Sequence, residues 1–182
     1  MIDLKELENI VKSIDINLSE DDVFDILQIR KRWPLEYFWG QKSVEIIDNY
    51  GKPRVNNFFK QDGFLNYEEW KTYYDLGFTS IISNVLDLTK ELRLLQKKLI
   101  ERTGMVINAN FYFSKPGQLP SFNKHMHNYA VIVKQIYGES EWIVEDKQFI
   151  LNEKDTCIIP KNGLHQVISK KNKKLSLTIN IE

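Results

Sequence analysis

Apolar residues change their spacing near the middle of the chain. Leu4, Leu7, Ile10, Val11 and Ile14 recur at steps of three and four, which predicts a first helix. Ser19, with Asp22 three residues on, predicts the capped start of a second, backed by Val23, Phe24, Ile26 and Leu27. Trp33-Pro34 is expected to end it, because proline restricts the residue before it. Asn66 and Glu69 predict another helix start, with a stop near Gly77. Val85, Leu88, Leu92, Leu95 and Leu99 lie on one stripe, with Lys90, Glu91, Lys97 and Lys98 mostly off it. That pattern predicts a helix packed on a sheet.

Beyond Gly104 the runs become short and rich in β-formers. Strands are expected over Met105 to Ser114, Asn128 to Tyr137, Glu139 to Val144, Gln148 to Leu151, Thr156 to Ile159, Gln166 to Ser169 and Leu175 to Ile181. Turn residues such as Lys115-Pro116-Gly117, Gly138 and Pro160 separate them. Short strands in this order predict an antiparallel barrel or sandwich with the leading helices outside it. No repeat or linker interrupts the 182 residues, so one domain is expected: a helical part over 1–103 and a barrel over 104–182.

Composition narrows the setting. Lys+Arg and Asp+Glu both number 25, for a formal net charge of +0. Such a balance gives no general attraction to nucleic acid or to an anionic membrane, and neither is expected as a partner. The basic run Lys170-Lys171-Asn172-Lys173-Lys174 is expected to be a solvated hairpin turn. One cysteine, Cys157, allows no internal disulfide, and no apolar run is long enough to span a bilayer. The start lacks the order of a signal peptide, so a soluble cytoplasmic protein is expected.

All three histidines fall in the last third of the chain. His125 and His127 are two apart, so in a strand their rings point to one side. His165 follows the turn Pro160-Lys161-Asn162-Gly163-Leu164, from which a third ring can meet them in a closed barrel. Three neutral imidazoles form a cap on a metal ion and leave other positions open.

Residues from His125-Met126-His127 through Gly138 to Trp142 resemble the metal-binding strand pair of the JmjC-like cupin oxygenases. Asn110 to Ser114 is similar to their first barrel strand, and Gly77 to Ile82 to the segment before it. Asp155 to Pro160 with Gly163 and His165 resembles their second motif. Leu175 to Thr178 resembles their closing strand. The likeness covers roughly residues 34 to 182. It implies a mainly β cupin double-stranded β-helix, a jelly-roll barrel with N-terminal helices packed outside. Two departures stand out. His127 falls where the family carries a carboxylate ligand. Ser140 falls where a basic residue would hold the far carboxylate of 2-oxoglutarate. Lys134, Lys124 and Lys115 are candidates to supply that charge instead, although alternation turns Lys134 away from the histidines.

The resemblance implies a mononuclear non-haem Fe(II) oxygenase acting with O2 on a small-molecule or peptide substrate, with 2-oxoglutarate as an optional co-substrate. A three-histidine cupin without glutamate also resembles the thiol dioxygenases, which use iron alone. Tyr112, Tyr129 and Tyr137 are candidates to line the pocket or bond to oxygen. Asn110, Ser114 and Asn180 are candidates to orient a co-substrate. Two other classes stay open: a non-redox cupin isomerase or lyase using Zn, Mn or Ni, and a binding protein without chemistry. The chain ends just after the closing strand, so a monomer, or a homodimer through some other surface, is expected.

Overall fold

A computed structural model describes residues 3–32, 43–47, 59–116, 122–169 and 172–181. The chain begins with helices α1 (Leu4–Ser13) and α2 (Glu20–Gln28), followed by strand β1 (Val44–Ile47). Helix α3 (Tyr67–Asp75), β2 (Thr79–Ser83) and α4 (Lys90–Thr103) come next. Seven strands complete the fold: β3 (Asn108–Ser114), β4 (Ala130–Tyr137), β5 (Ser140–Val144), β6 (Lys147–Leu151), β7 (Thr156–Ile159), β8 (His165–Ser169) and β9 (Lys174–Ile181).

The caps explain the helix starts. Ser19 and Asp22 form a reciprocal capping box on α2. The Asn66 side chain makes no capping bond to the helix backbone; it donates to Glu69 Oε2 at 3.0 Å instead. Thr89 caps α4, so the helix begins after Val85 and Leu88 rather than with them. Helix α2 stops at Gln28, ahead of the expected stop at Trp33-Pro34, which lies outside the described residues.

The strands form two antiparallel sheets, ordered β1-β2-β3-β9-β4-β7 and β6-β5-β8. The chain crosses between them: β4 in the large sheet, β5 and β6 in the small one, β7 large, β8 small and β9 large. This is the cupin-type jelly-roll barrel with helices outside. The large sheet also takes in β1 and β2, two strands within the part expected to be helical.

Alternation gives the large sheet two working faces. Phe111, Phe113, Ile132, Leu175, Leu177 and Ile179 point outward and join the helices in one core. There Trp70 stacks on Phe113 and on Tyr74. Val131, Val133, Cys157 and Ile159 point inward and meet Trp142, Val144 and Leu151 of the small sheet.

Polar bonds fix α1 to the back of the barrel. Lys134, buried and turned from the histidines as alternation predicts, donates to Val11 O (3.0 Å) and Ile14 O (2.6 Å) at the end of α1. Glu8 accepts from Thr156 Oγ1 of β7 at 2.7 Å. Burial acts to raise the Glu8 carboxyl, but bonds from Thr156, Lys5 and Lys12 outweigh it and hold the group below the ordinary range. A depressed folded-state pKa adds stability above the unfolded-state value, and that stability is lost as pH falls through the folded value. Glu8→Gln is therefore expected to cost about 1 kcal/mol at pH 7. The gap to the wild type should close as pH falls below about 4.3. Urea melts across a pH series check this, and a gap independent of pH would contradict it.

Candidate metal centre

Main-chain bonds place the three histidines. His125 N donates to His165 O at 3.0 Å, and His165 N donates to His125 O at 2.8 Å. This bridge brings the segment before β4 alongside β8. Asn162 N donates to His127 O at 2.7 Å. The turn that presents His165 closes through Gly163 N to Pro160 O (2.8 Å), with Asn162 in the left-handed region at φ 61°. Asparagine tolerates that conformation. A Cβ on Gly163 would lie 2.9 Å from the Pro160 ring, so the tight turn needs glycine. The rings converge, but not by strand alternation: His127 lies outside any strand, and β4 starts only at Ala130.

The ring centroids are 4.4 to 5.1 Å apart. One nitrogen from each ring lies within 4.8 Å of the other two. His125 Nδ1 is 2.8 Å from Asn123 O, and His165 Nδ1 is 2.9 Å from Gly163 O. A carbonyl only accepts, so each Nδ1 carries a proton, and in the neutral ring Nε2 is left as the ligating nitrogen. Burial pushes His165 down to about 4, helped by the other two rings and opposed by the Gly163 carbonyl. Burial also lowers His127, as does His125. Three imidazoles, two of them oriented by carbonyls, are a donor set that a divalent transition metal takes, so these residues fit such an ion.

The rings border a cavity of about 60 Å³, a size for a small ligand. Val131, Val133, Ile159 and Val167 form apolar walls, and Tyr112, Phe122 and Trp142 add aromatic ones. Tyr129 stacks flat on His127, 5.0 Å between centroids and 6° apart in plane. Tyr112 lines the cavity, and burial pushes its phenol up to about 12, so it stays a hydrogen-bond donor at neutral pH.

The remaining sequence candidates are not brought to the cavity wall. Ser140 is buried in a network: Trp142 Nε1 donates to its Oγ (2.8 Å), and that Oγ donates to Gln135 Oε1 (2.9 Å). It orients Trp142 rather than facing a ligand. Asn110 and Asn180 sit on β3 and β9 opposite Thr178 and Asn108, and neither lines the cavity. Tyr137 packs against the helical core. Lys115 pairs with Asp75, and Lys124 is exposed.

Lys174, Thr79, Ser176 and Thr178 line the cavity although the sequence analysis did not place them there. Lys174 is not part of a solvated turn: it opens β9, is buried, and lines the cavity. Lys170 and Lys171 lie outside the described residues. The signal was the alternation Lys174, Ser176, Thr178 against Leu175, Leu177, Ile179, which starts one residue before the expected strand.

The family model of the AraC-like ligand-binding domain matches residues 109–179, from β3 into β9. No curated protein matches the chain. Among solved structures, the chain is similar to the plu4264 protein of Photorhabdus luminescens, at 25% identity and a TM-score of 0.38. It is also similar to a cupin 2 conserved barrel domain protein of Salinispora arenicola (17%, 0.37) and to the DMSP lyase DddQ of Ruegeria pomeroyi (19%, 0.39). Each similarity covers 42% of this chain. The chain spans 62%, 63% and 38% of the three, less than two thirds of each. Among the described residues, no helix is long and apolar enough to cross a membrane. The matched segment and the strand order coincide on a cupin-type barrel that carries three histidines at one cavity.

Proposed function

We propose that the chain is a mononuclear Fe(II)-dependent oxygenase acting on a small molecule. The observation that carries this reading is the convergence of three imidazoles, two of them with Nδ1 tied to a carbonyl, on a largely apolar cavity. Three ligands leave positions open for a substrate and O2. A ferrous ion held by His125, His127 and His165 would supply the redox chemistry with O2. The chain's own contribution is positioning. Tyr129 holds the His127 ring by stacking, the carbonyls of Asn123 and Gly163 fix two ring orientations, and the valine-rich wall excludes water. Tyr112 donates a hydrogen bond from the wall to whatever occupies the cavity.

The experiment is loading under argon with Fe(II) or Zn(II), followed by oxygen uptake with a panel of small carboxylates, thiols and 2-oxoglutarate. Uptake with iron alone supports the oxygenase. Equal conversion with either metal means Lewis-acid chemistry instead. Binding without conversion favours a ligand-binding module, the reading that the match to the AraC-like ligand-binding domain recommends.

The ligand swap gives a further prediction. Three imidazoles leave the full charge of the ion on the site, and a carboxylate would cancel part of it. His127→Asp is expected to retain iron and to weaken anionic ligands by roughly tenfold. Anaerobic calorimetry with metal analysis checks this; unchanged anion affinity at full iron content would contradict it.

A further inference from the structure

One wall of the cavity has the direction of its hydrogen bonding set from behind. Gln135 on β4 faces Ser176 on β9 in the register of the sheet, and both are buried. Gln135 Nε2 donates to Tyr137 O at 2.7 Å, which orients the amide and leaves Oε1 as its acceptor. Two hydroxyls donate to that one oxygen: Ser140 Oγ at 2.9 Å and Ser176 Oγ at 2.8 Å. Trp142 Nε1, which can only donate, gives its proton to Ser140 Oγ at 2.8 Å and so turns the Ser140 proton toward Gln135.

A serine hydroxyl carries one proton and two lone pairs. The Ser176 proton is committed to Gln135, so toward the cavity that it lines Ser176 offers lone pairs only. A ligand acceptor could take that proton only by breaking a buried bond, an exchange that gains nothing. A ligand donor leaves the network intact and adds a bond. Tyr112 stands directly opposite Ser176 on β3 and supplies the complementary donor, because its phenol stays protonated at neutral pH. Thr178, the next cavity-lining residue along β9, has a hydroxyl that can donate as well. Acceptors on a ligand are therefore served from two places, and Ser176 is the place that asks for a donor.

Net charge on the ligand is disfavoured. None of the described residues that line the cavity is a carboxylate, and Lys174, their only lysine or arginine, already has an interaction partner. The facing wall of Val131, Val133, Ile159 and Val167 is apolar, and an unpaired charge buried against it is costly.

We propose that Ser176 is a specificity residue of the cavity, accepting a hydrogen bond from the ligand and giving none. The ligand is then a small neutral molecule with a hydroxyl or amide N–H on an otherwise apolar frame. This rests on the cavity being the substrate site of the oxygenase reading, but the recognition itself does not need the metal.

The test compares cyclohexanol with cyclohexanone, which share a frame and differ in the donor, by chemical-shift titration of metal-free and of Zn(II)-loaded protein. Wild-type protein should prefer the alcohol roughly fivefold in both forms. Ser176→Ala should remove the preference by weakening cyclohexanol, with cyclohexanone unchanged. Gln135→Met frees the Ser176 proton and should remove the preference from the other side, by tightening cyclohexanone. Wild-type protein without the preference, including one that binds neither probe, overturns the proposal, and this arm needs no variant to fold. A folded Ser176→Ala protein that keeps the preference overturns it too. Failure of the oxygenase reading appears separately, as no iron-dependent oxygen uptake with the preference for the alcohol intact.

Discussion

His165→Ala is expected to lower bound divalent metal from about one ion per chain to well under a tenth, with affinity weakened on the order of a hundredfold or more. His165 is the only one of the three rings that is fully buried. Its Nδ1 is tied to the Gly163 carbonyl, so its lone pair is held in one direction before any ion arrives. Alanine removes that donor, and water entering the gap would replace it without the fixed orientation. The main-chain bridge between residues 125 and 165 does not use the ring, so the fold should survive and the loss should be local. Metal analysis after anaerobic loading, beside a thermal melt, checks both halves. Full occupancy in this variant would remove the site.

Gly138→Ala is expected to destabilise the fold by roughly 2–4 kcal/mol. Gly138 joins β4 to β5 with φ 71°, a conformation that costs a side-chain-bearing residue energy. The steric problem is larger. A Cβ there would lie 2.0 Å from the Lys173 carbonyl oxygen and 3.1 Å from the Lys174 Cα. Those are backbone atoms at the entry of β9 and cannot swing aside. Gly138→Asn separates the two causes, because asparagine tolerates positive φ but still carries a Cβ. Both variants should be about equally damaged in urea melts. A mild effect from asparagine alone would assign the cost to φ rather than to the contact.

What could be read from the chain follows from the range of the forces involved. Helical stripes and capping pairs are local, so α1, α2 and α4 were legible to within a few residues. The barrel strands announced themselves through β-formers bounded by Gly and Pro. β1 and β2 did not, because their partners lie far away in sequence: Ser80 is paired with Phe113, and Val44 with Ile82. The histidines were found because they are few and because a turn anchors the third. His125 and His127 converge not through strand alternation but because main-chain bonds to β8 and to its preceding turn place them. Lys174 was hidden by its neighbours. A lysine among lysines reads as solvated, and only the pairing of β9 with β3 turns it inward.

The bridge between His125 and His165, together with the bond from Asn162 to the His127 carbonyl, separates two properties that many sites combine. Position here is held by peptide groups, which every amino acid carries, while donor chemistry resides in the side chains alone. Donors can therefore be exchanged one at a time on an unchanged frame. A barrel built this way lends itself to having its donor set rewritten by point substitution, without a new fold.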